Sequence, residues 1–219
     1  MTATRRERPL LLGHRGARSV KTIPENTFAA FDRALADGCD GFELDVRFTR
    51  DGVAVVCHDP QAGGIEIAQS RLQQLGLMPR LEDVLSRYRE CFLDIEMKVP
   101  GLERVVVLLL GQYPPRGFVV SSFLLEVLRA VHAASPEVPL GLICETRAEL
   151  RAWEALPVKY VIPHRKLLDA ELVTELKAAG KKILVWTVNS AAEMRKLADL
   201  GVDGIISDDP GLLVKTLGG

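Results

Sequence analysis

Short apolar runs alternate with helix-like segments along nearly the whole 219-residue chain, and no other feature restricts the fold as much. Apolar runs occupy 10–13, 42–48, 53–57 and 92–97. Later ones begin near Gly117, Val138, Val158, Lys182 and Asp203, about 20–23 residues apart. Between the first two runs, Phe28, Phe31, Ala34 and Leu35 have the spacing of one helix face, predicting a helix over 27–37 that stops at Gly38. The same pattern predicts helices over about 81–88, 124–134, 147–156, 169–179 and 191–200. This rhythm, without a break in composition, predicts one domain over 1–219 built on a parallel sheet covered by helices.

The nine strand candidates are one too many for an eight-stranded barrel. Thr49-Arg50-Asp51-Gly52 is a tight-turn sequence, so 42–48 and 53–57 should form a hairpin. Either the hairpin strand or one of the later runs must then be irregular or lie outside the barrel. A doubly wound open sheet would need a glycine-rich nucleotide-binding turn, and Gly13-His14-Arg15-Gly16 is not that fingerprint. The pattern therefore favours the α/β class and a TIM barrel over an open sheet.

Composition excludes several classes of partner. The 28 basic and 29 acidic residues leave a net charge of −1, with no basic excess to suit nucleic acid or an anionic membrane. The longest apolar run, 105–110, is too short to span a bilayer, and 10–12 is too short for a signal segment. A soluble cytoplasmic protein is expected. Cys39, Cys57, Cys91 and Cys144 lack CxxC spacing and read as reduced thiols.

Polar residues gather at the C-terminal ends of the predicted strands, where barrel active sites lie. His14 can move a proton near neutral pH and Arg15 can grip an anion, although the same residues also suit a plain surface turn. Glu43 and Asp45, two apart on a strand, share a face. They are either a solvated face or two carboxylates in the barrel mouth that need a hard divalent cation. If the hairpin loop has two residues, His58 faces Asp45; if it has four, His58 faces Glu43. Both registers put His58 on the acidic face. Asp94, Glu96 and Lys98 share a face of the next strand, as a third carboxylate and a second cation or as an internal ion pair. Trp186 closes an apolar run, as a pocket wall or as core. A metal with Arg and Lys suits a phosphoryl group, and two histidines suit a reaction needing a base and an acid. Lys98 at a strand end is also compatible with Schiff-base chemistry in a barrel lyase. An inactive barrel that only binds phosphate esters is a third possibility.

In this order, His14-Arg15-Gly16, Pro24-Glu25-Asn26-Thr27, Glu43-x-Asp45-Val46, Asp51-Gly52, His58-Asp59, Ile95-Glu96-x-Lys98, Ser122-Phe123, Trp186-Thr187-Val188-Asn189 and 201–208 run through nearly the whole chain. The set resembles the glycerophosphodiester phosphodiesterase family. The resemblance implies a distorted (β/α)8 barrel and metal-dependent hydrolysis of glycerophosphodiesters to an alcohol and sn-glycerol 3-phosphate. It implies His14 and His58 as the acid–base pair, Arg15 and Lys98 on the phosphate, and Glu43, Asp45 and Glu96 on Ca²⁺ or Mg²⁺. Glu25 and Asn26 would lie near the metal. The segment between the His-Asp and Glu-x-Lys motifs is shorter than the family's usual insertion, which implies a more open pocket. Gly63-Gly64 stands where the family carries Arg and Thr, and Ser207 replaces the commoner Thr.

Overall fold

The computed structural model of the chain describes residues 8–218. All nine strand candidates form strands. In chain order they are β1 (Leu10–Gly13), β2 (Gly41–Phe48) and β3 (Ala54–Val56), then, after a small separate ribbon of β4 (Gln61–Ala62) and β5 (Ile65–Glu66), β6 (Phe92–Met97), β7 (Gly117–Ser122), β8 (Leu140–Cys144), β9 (Tyr160–Pro163), β10 (Lys182–Val185) and β11 (Gly204–Ser207). The helices are α1 (Phe28–Ala36), α2 (Leu81–Arg87), α3 (Glu103–Gln112), α4 (Leu125–Ala134), α5 (Arg147–Leu150), α6 (Ala170–Ala178), α7 (Ala191–Leu200) and α8 (Pro210–Leu217). Eight strands pair in parallel and close in the order β1, β2, β6, β7, β8, β9, β10, β11 and back to β1. The fold is a (β/α)8 barrel.

The ninth strand is β3, and it lies outside the barrel. Strand β1 pairs with β2 only at Gly41 and Phe42, so the far half of that β2 edge is open. The antiparallel β3 takes it, with Val46 opposite Val56 and Phe48 opposite Ala54. This register differs from both expected ones. The loop has three residues, Arg50-Asp51-Gly52, closed by Thr49 N donating to Val53 O and Gly52 N donating to Thr49 O. Gly52 at φ 78° supplies the left-handed residue that such a loop needs. Cys57, not His58, therefore comes opposite Asp45, where its N–H donates to the Asp45 carbonyl.

Two helices that the sequence pattern did not mark are α3 and α8. Helix α3 carries the continuous apolar run, which hides any face, and Leu108 in it stays exposed. The expected helix over 147–156 keeps only one α turn, α5, before a 3₁₀ stretch over Arg151–Ala155. Leu150, Trp153 and Leu156 repeat every three residues, and a 3₁₀ turn of three residues puts all of them against the barrel.

Apolar side chains fill two spaces. Outward residues of the strands pack under the helices, and Leu12, Val119, Ile143, Tyr160, Ile162, Leu184 and Ile206 form a second cluster. Phe31 of α1 stacks on Phe42 of β2 at 4.1 Å, and Tyr88 meets Phe42 edge-on at 5.0 Å. That aromatic group fixes the strand that carries Glu43 and Asp45. Losing a buried Phe of this kind costs about 3–5 kcal/mol.

Candidate active site

Strand alternation builds the acidic wall. Phe42, Leu44 and Val46 of β2 and Leu93, Ile95 and Met97 of β6 join the outer core. Glu43, Asp45, Asp94 and Glu96 take the opposite face. The strand register sets Glu43 beside Asp94 and Asp45 beside Glu96. All four are buried, and oxygens of Glu43, Asp45 and Glu96 lie within 4.8 Å of one another. Glu43 Oε1, Asp45 Oδ1 and Asp94 Oδ2 are buried without a hydrogen-bond partner. Burial, then the neighbouring carboxylates, push the Glu43 carboxyl well up, against the pull of Arg15. Burial also raises Glu96, with Lys98 opposing and Asp45 adding to the rise. Asp94 is pushed up to about 7 by burial and by Glu96 and Asp45, although the Ser121 hydroxyl donates to it. Buried carboxylates converging from Glu43, Asp45 and Glu96, with Glu43 Oε1 and Asp45 Oδ1 lacking a hydrogen bond, fit a divalent cation such as Ca²⁺ or Mg²⁺.

The turn after β1 closes over this wall. Among the described residues, Arg15 at φ 49° and Asn26 at φ 57° are the two non-glycine residues with left-handed backbone, and Asn26 N donates to Arg15 O at 3.0 Å. Arg15 N donates to Glu43 Oε2 at 2.9 Å, while its guanidinium reaches Glu25 at 2.6 Å and Asp45 at 3.2 Å. Asn26 Nδ2 donates to Asp45 Oδ2 at 2.7 Å, and its Oδ1 accepts from Asp45 N at 3.3 Å. Burial opposes the Arg15 charge, but Asp45, Glu25 and Glu43 outweigh it and raise the Arg15 pKa. Gly16 at φ 86° lies so close to α1 that a Cβ there would meet the Ala30 carbonyl carbon at 2.5 Å.

Two imidazoles border the cavity. His14 Nδ1 lies 2.6 Å from Asp208 Oδ1, and Nε2 lies 3.7 Å from Glu43 Oε2. Burial works against the Asp208 charge, but His14, Asn189 and Arg18 hold its carboxyl down to about 2. An ionised carboxylate only accepts, so His14 Nδ1 carries the proton and Nε2 is left toward the cavity. His58 comes to the same cavity because β3 ends at Val56 and the chain bends. Its Nδ1 meets Asp59 Oδ1 at 2.8 Å. Lys98 Nζ lies 2.7 Å from Glu96 and 3.4 Å from Asp45, and sits 5.9 Å from the Phe123 ring centre.

The cavity holds about 230 Å³. His14, Arg15, Glu43, His58, Glu96, Lys98 and Trp186 line it, as do Asp94, Phe123 and Glu145. Trp186 donates to Ile162 O at 2.9 Å and stands edge-on to Phe123 at 5.6 Å, making an apolar wall of the cavity. Glu25 and Asn26 line a neighbouring hollow that shares His58; Glu25 accepts from Arg15 of the main cavity, and Asn26 donates to the buried Asp45. Asp208 and Asn189 were absent from the expected site although both stand in the motifs. The signal was positional: each follows a strand that converges on β1.

A family model described as the glycerophosphoryl diester phosphodiesterase family matches residues 14–77 and 64–212. The chain belongs to this family. By that membership it is a phosphodiesterase, which sets aside the lyase reading of Lys98. It is 30% identical to a glycerophosphodiester phosphodiesterase of Caldanaerobacter subterraneus subsp. tengcongensis, over 94% of this chain and 96% of that one. It is 31% identical to one of Bacillus altitudinis, with the same two coverages of 94% and 96%. A phosphodiesterase of Oleispira antarctica, solved with the product sn-glycerol-3-phosphate, superposes with a TM-score of 0.85 at 27% identity, covering 97% of this chain and 98% of the other. Among the described residues of this family member, no helix is long and apolar enough to cross a membrane.

Proposed function

We propose that this cavity hydrolyses glycerophosphodiesters to an alcohol and sn-glycerol 3-phosphate, by histidine acid–base catalysis that depends on Ca²⁺ or Mg²⁺. The observation that carries the reading is the triad of buried carboxylates Glu43, Asp45 and Glu96 between two imidazoles and two cations, with Glu43 Oε1 lacking any partner. Glu43, Asp45 and Glu96 would hold the metal. When bound, it supplies positive charge to offset that on the phosphoryl oxygens. Arg15 and Lys98 grip the same phosphate and orient it. One of His14 and His58 takes the proton of the attacking group, and the other gives a proton to the leaving alkoxide oxygen. His14 acts through Nε2, because Asp208 holds its Nδ1–H. His58 acts likewise through its own Nε2, with Nδ1 held by Asp59. Asn26 holds Asp45 in place, Glu25 steadies Arg15, and Trp186 with Phe123 faces the carbon skeleton of the substrate. A small-molecule substrate suits a cavity of this size, and the product seen in the Oleispira relative fits the same chemistry. We place the protein in the cytoplasm, a reading supported by four unpaired thiols.

The test is turnover of glycerophosphocholine by His14→Ala and His58→Ala. Each should lower kcat by about a hundredfold or more. Near-normal rates in both contradict the assignment.

A further inference from the structure

One buried carboxylate in the cavity has no part in the chemistry above. Asp94 sits on β6 one layer deeper than Glu96, and its side chain is outside the group of carboxylates that converge on a metal. Its Oδ1 accepts from Ser121 Oγ at 2.5 Å. Its Oδ2 is buried with no partner, and the residue, only 1% exposed, lines the same cavity. Lys98 does not serve it, being paired with Glu96 and Asp45. Ile143, Ile162 and Ile206 also line this cavity. An acceptor left bare among apolar groups is costly unless a ligand brings it a donor.

We propose that Asp94 Oδ2 accepts a hydrogen bond from a free hydroxyl of the substrate's glycerol unit, and so selects glycerol esters over other phosphodiesters. This rests on the phosphodiesterase reading. The phosphate is held at the level of Arg15, Glu96 and Lys98, and Asp94 is two residues further down the strand. That step is about 6.6 Å, which a three-carbon polyol attached to the phosphate spans. The Phe123–Trp186 wall flanks its carbons, and Ser121 keeps the carboxylate from rotating away. Asp94 is a substrate-binding residue, and neither proton transfer nor metal binding is asked of it.

The experiment compares sn-glycero-3-phosphocholine with propyl phosphocholine, the same ester lacking both free hydroxyls. kcat and KM are measured for the wild-type protein, Asp94→Asn and Asp94→Ala in one divalent metal. The wild type should prefer the glycerol ester at least about tenfold, as a site built to bond a hydroxyl does. Asp94→Ala should erase most of that preference through a higher KM for the glycerol ester, with the propyl ester's kcat/KM within about threefold of wild type. Asp94→Asn, which keeps an acceptor, should fall between. Equal use of the two esters by the wild type overturns the inference without any variant. Equal loss on both esters in Asp94→Ala also overturns it, since that marks a role through the metal site or the fold. Turnover of neither ester by the wild type overturns instead the phosphodiesterase reading beneath it.

Discussion

The His14 imidazole is held by Asp208, with Nδ1 and Oδ1 2.6 Å apart, and Asp208 is itself held by Asn189 Nδ2 at 2.6 Å. These three residues follow β1, β10 and β11, and β1 meets β11 only because the barrel closes. The arrangement fixes both the tautomer and the direction of His14. Asp208→Ala should lower kcat by about 10²- to 10⁴-fold, as loss of a histidine-orienting carboxylate does, with KM changed little. An unchanged kcat contradicts the positioning role.

Asn26 spends both ends of its amide on Asp45, once on the side chain and once on the backbone N–H. Asn26→Ala should weaken Ca²⁺ or Mg²⁺ binding about 10- to 100-fold, the usual effect of a residue that orients a metal ligand. Calorimetric titration of the metal-free protein reads this directly. Unaltered affinity would show that packing alone holds Asp45.

Metal-free protein should lose stability as pH rises. Glu43, Asp94 and Glu96 all hold protons more tightly folded than unfolded, chiefly through burial, and Asp94 reaches about 7. Between the ordinary carboxylate range and that value the folded chain binds more protons, so stability falls across the window. In EDTA, Tm should be higher near pH 5 than near pH 7, and Ca²⁺ or Mg²⁺ at pH 7 should restore it. Asp208 works oppositely and lower down, since its carboxyl is held to about 2 and its contribution vanishes only as pH falls toward that value. A Tm that climbs from pH 5 to 7 in EDTA contradicts the account of the acidic wall.

Gly16→Ala should destabilise the protein by roughly 2 kcal/mol or more, because a left-handed residue would gain a Cβ pressed into helix backbone. Urea unfolding measures the loss. Activity should fall with it, since the same turn carries His14 and Arg15.

Much of this was legible in the sequence because two periodicities carry it. The spacing of Glu43 with Asp45, and of Asp94 with Glu96 and Lys98, puts each set on one strand face whatever the wider fold. The spacing of nine strand candidates pointed to a barrel with one strand to spare, without saying which. What stayed hidden depends on contacts between distant segments. His58 was expected on the acidic face by a register that does not occur; it arrives there because β3 stops two residues short of it and the chain bends. Asp208 and Asn189 look like ordinary turn residues until barrel closure brings them to His14. Helix α3 was masked because its apolar run continues around the exposed side at Leu108.

The most direct test of the central claim is release of sn-glycerol 3-phosphate from glycerophosphocholine after EDTA treatment, with and without added Ca²⁺ or Mg²⁺. The account predicts no release without metal and recovery with one of the two ions. Equal release in EDTA, or none with either ion, would contradict it.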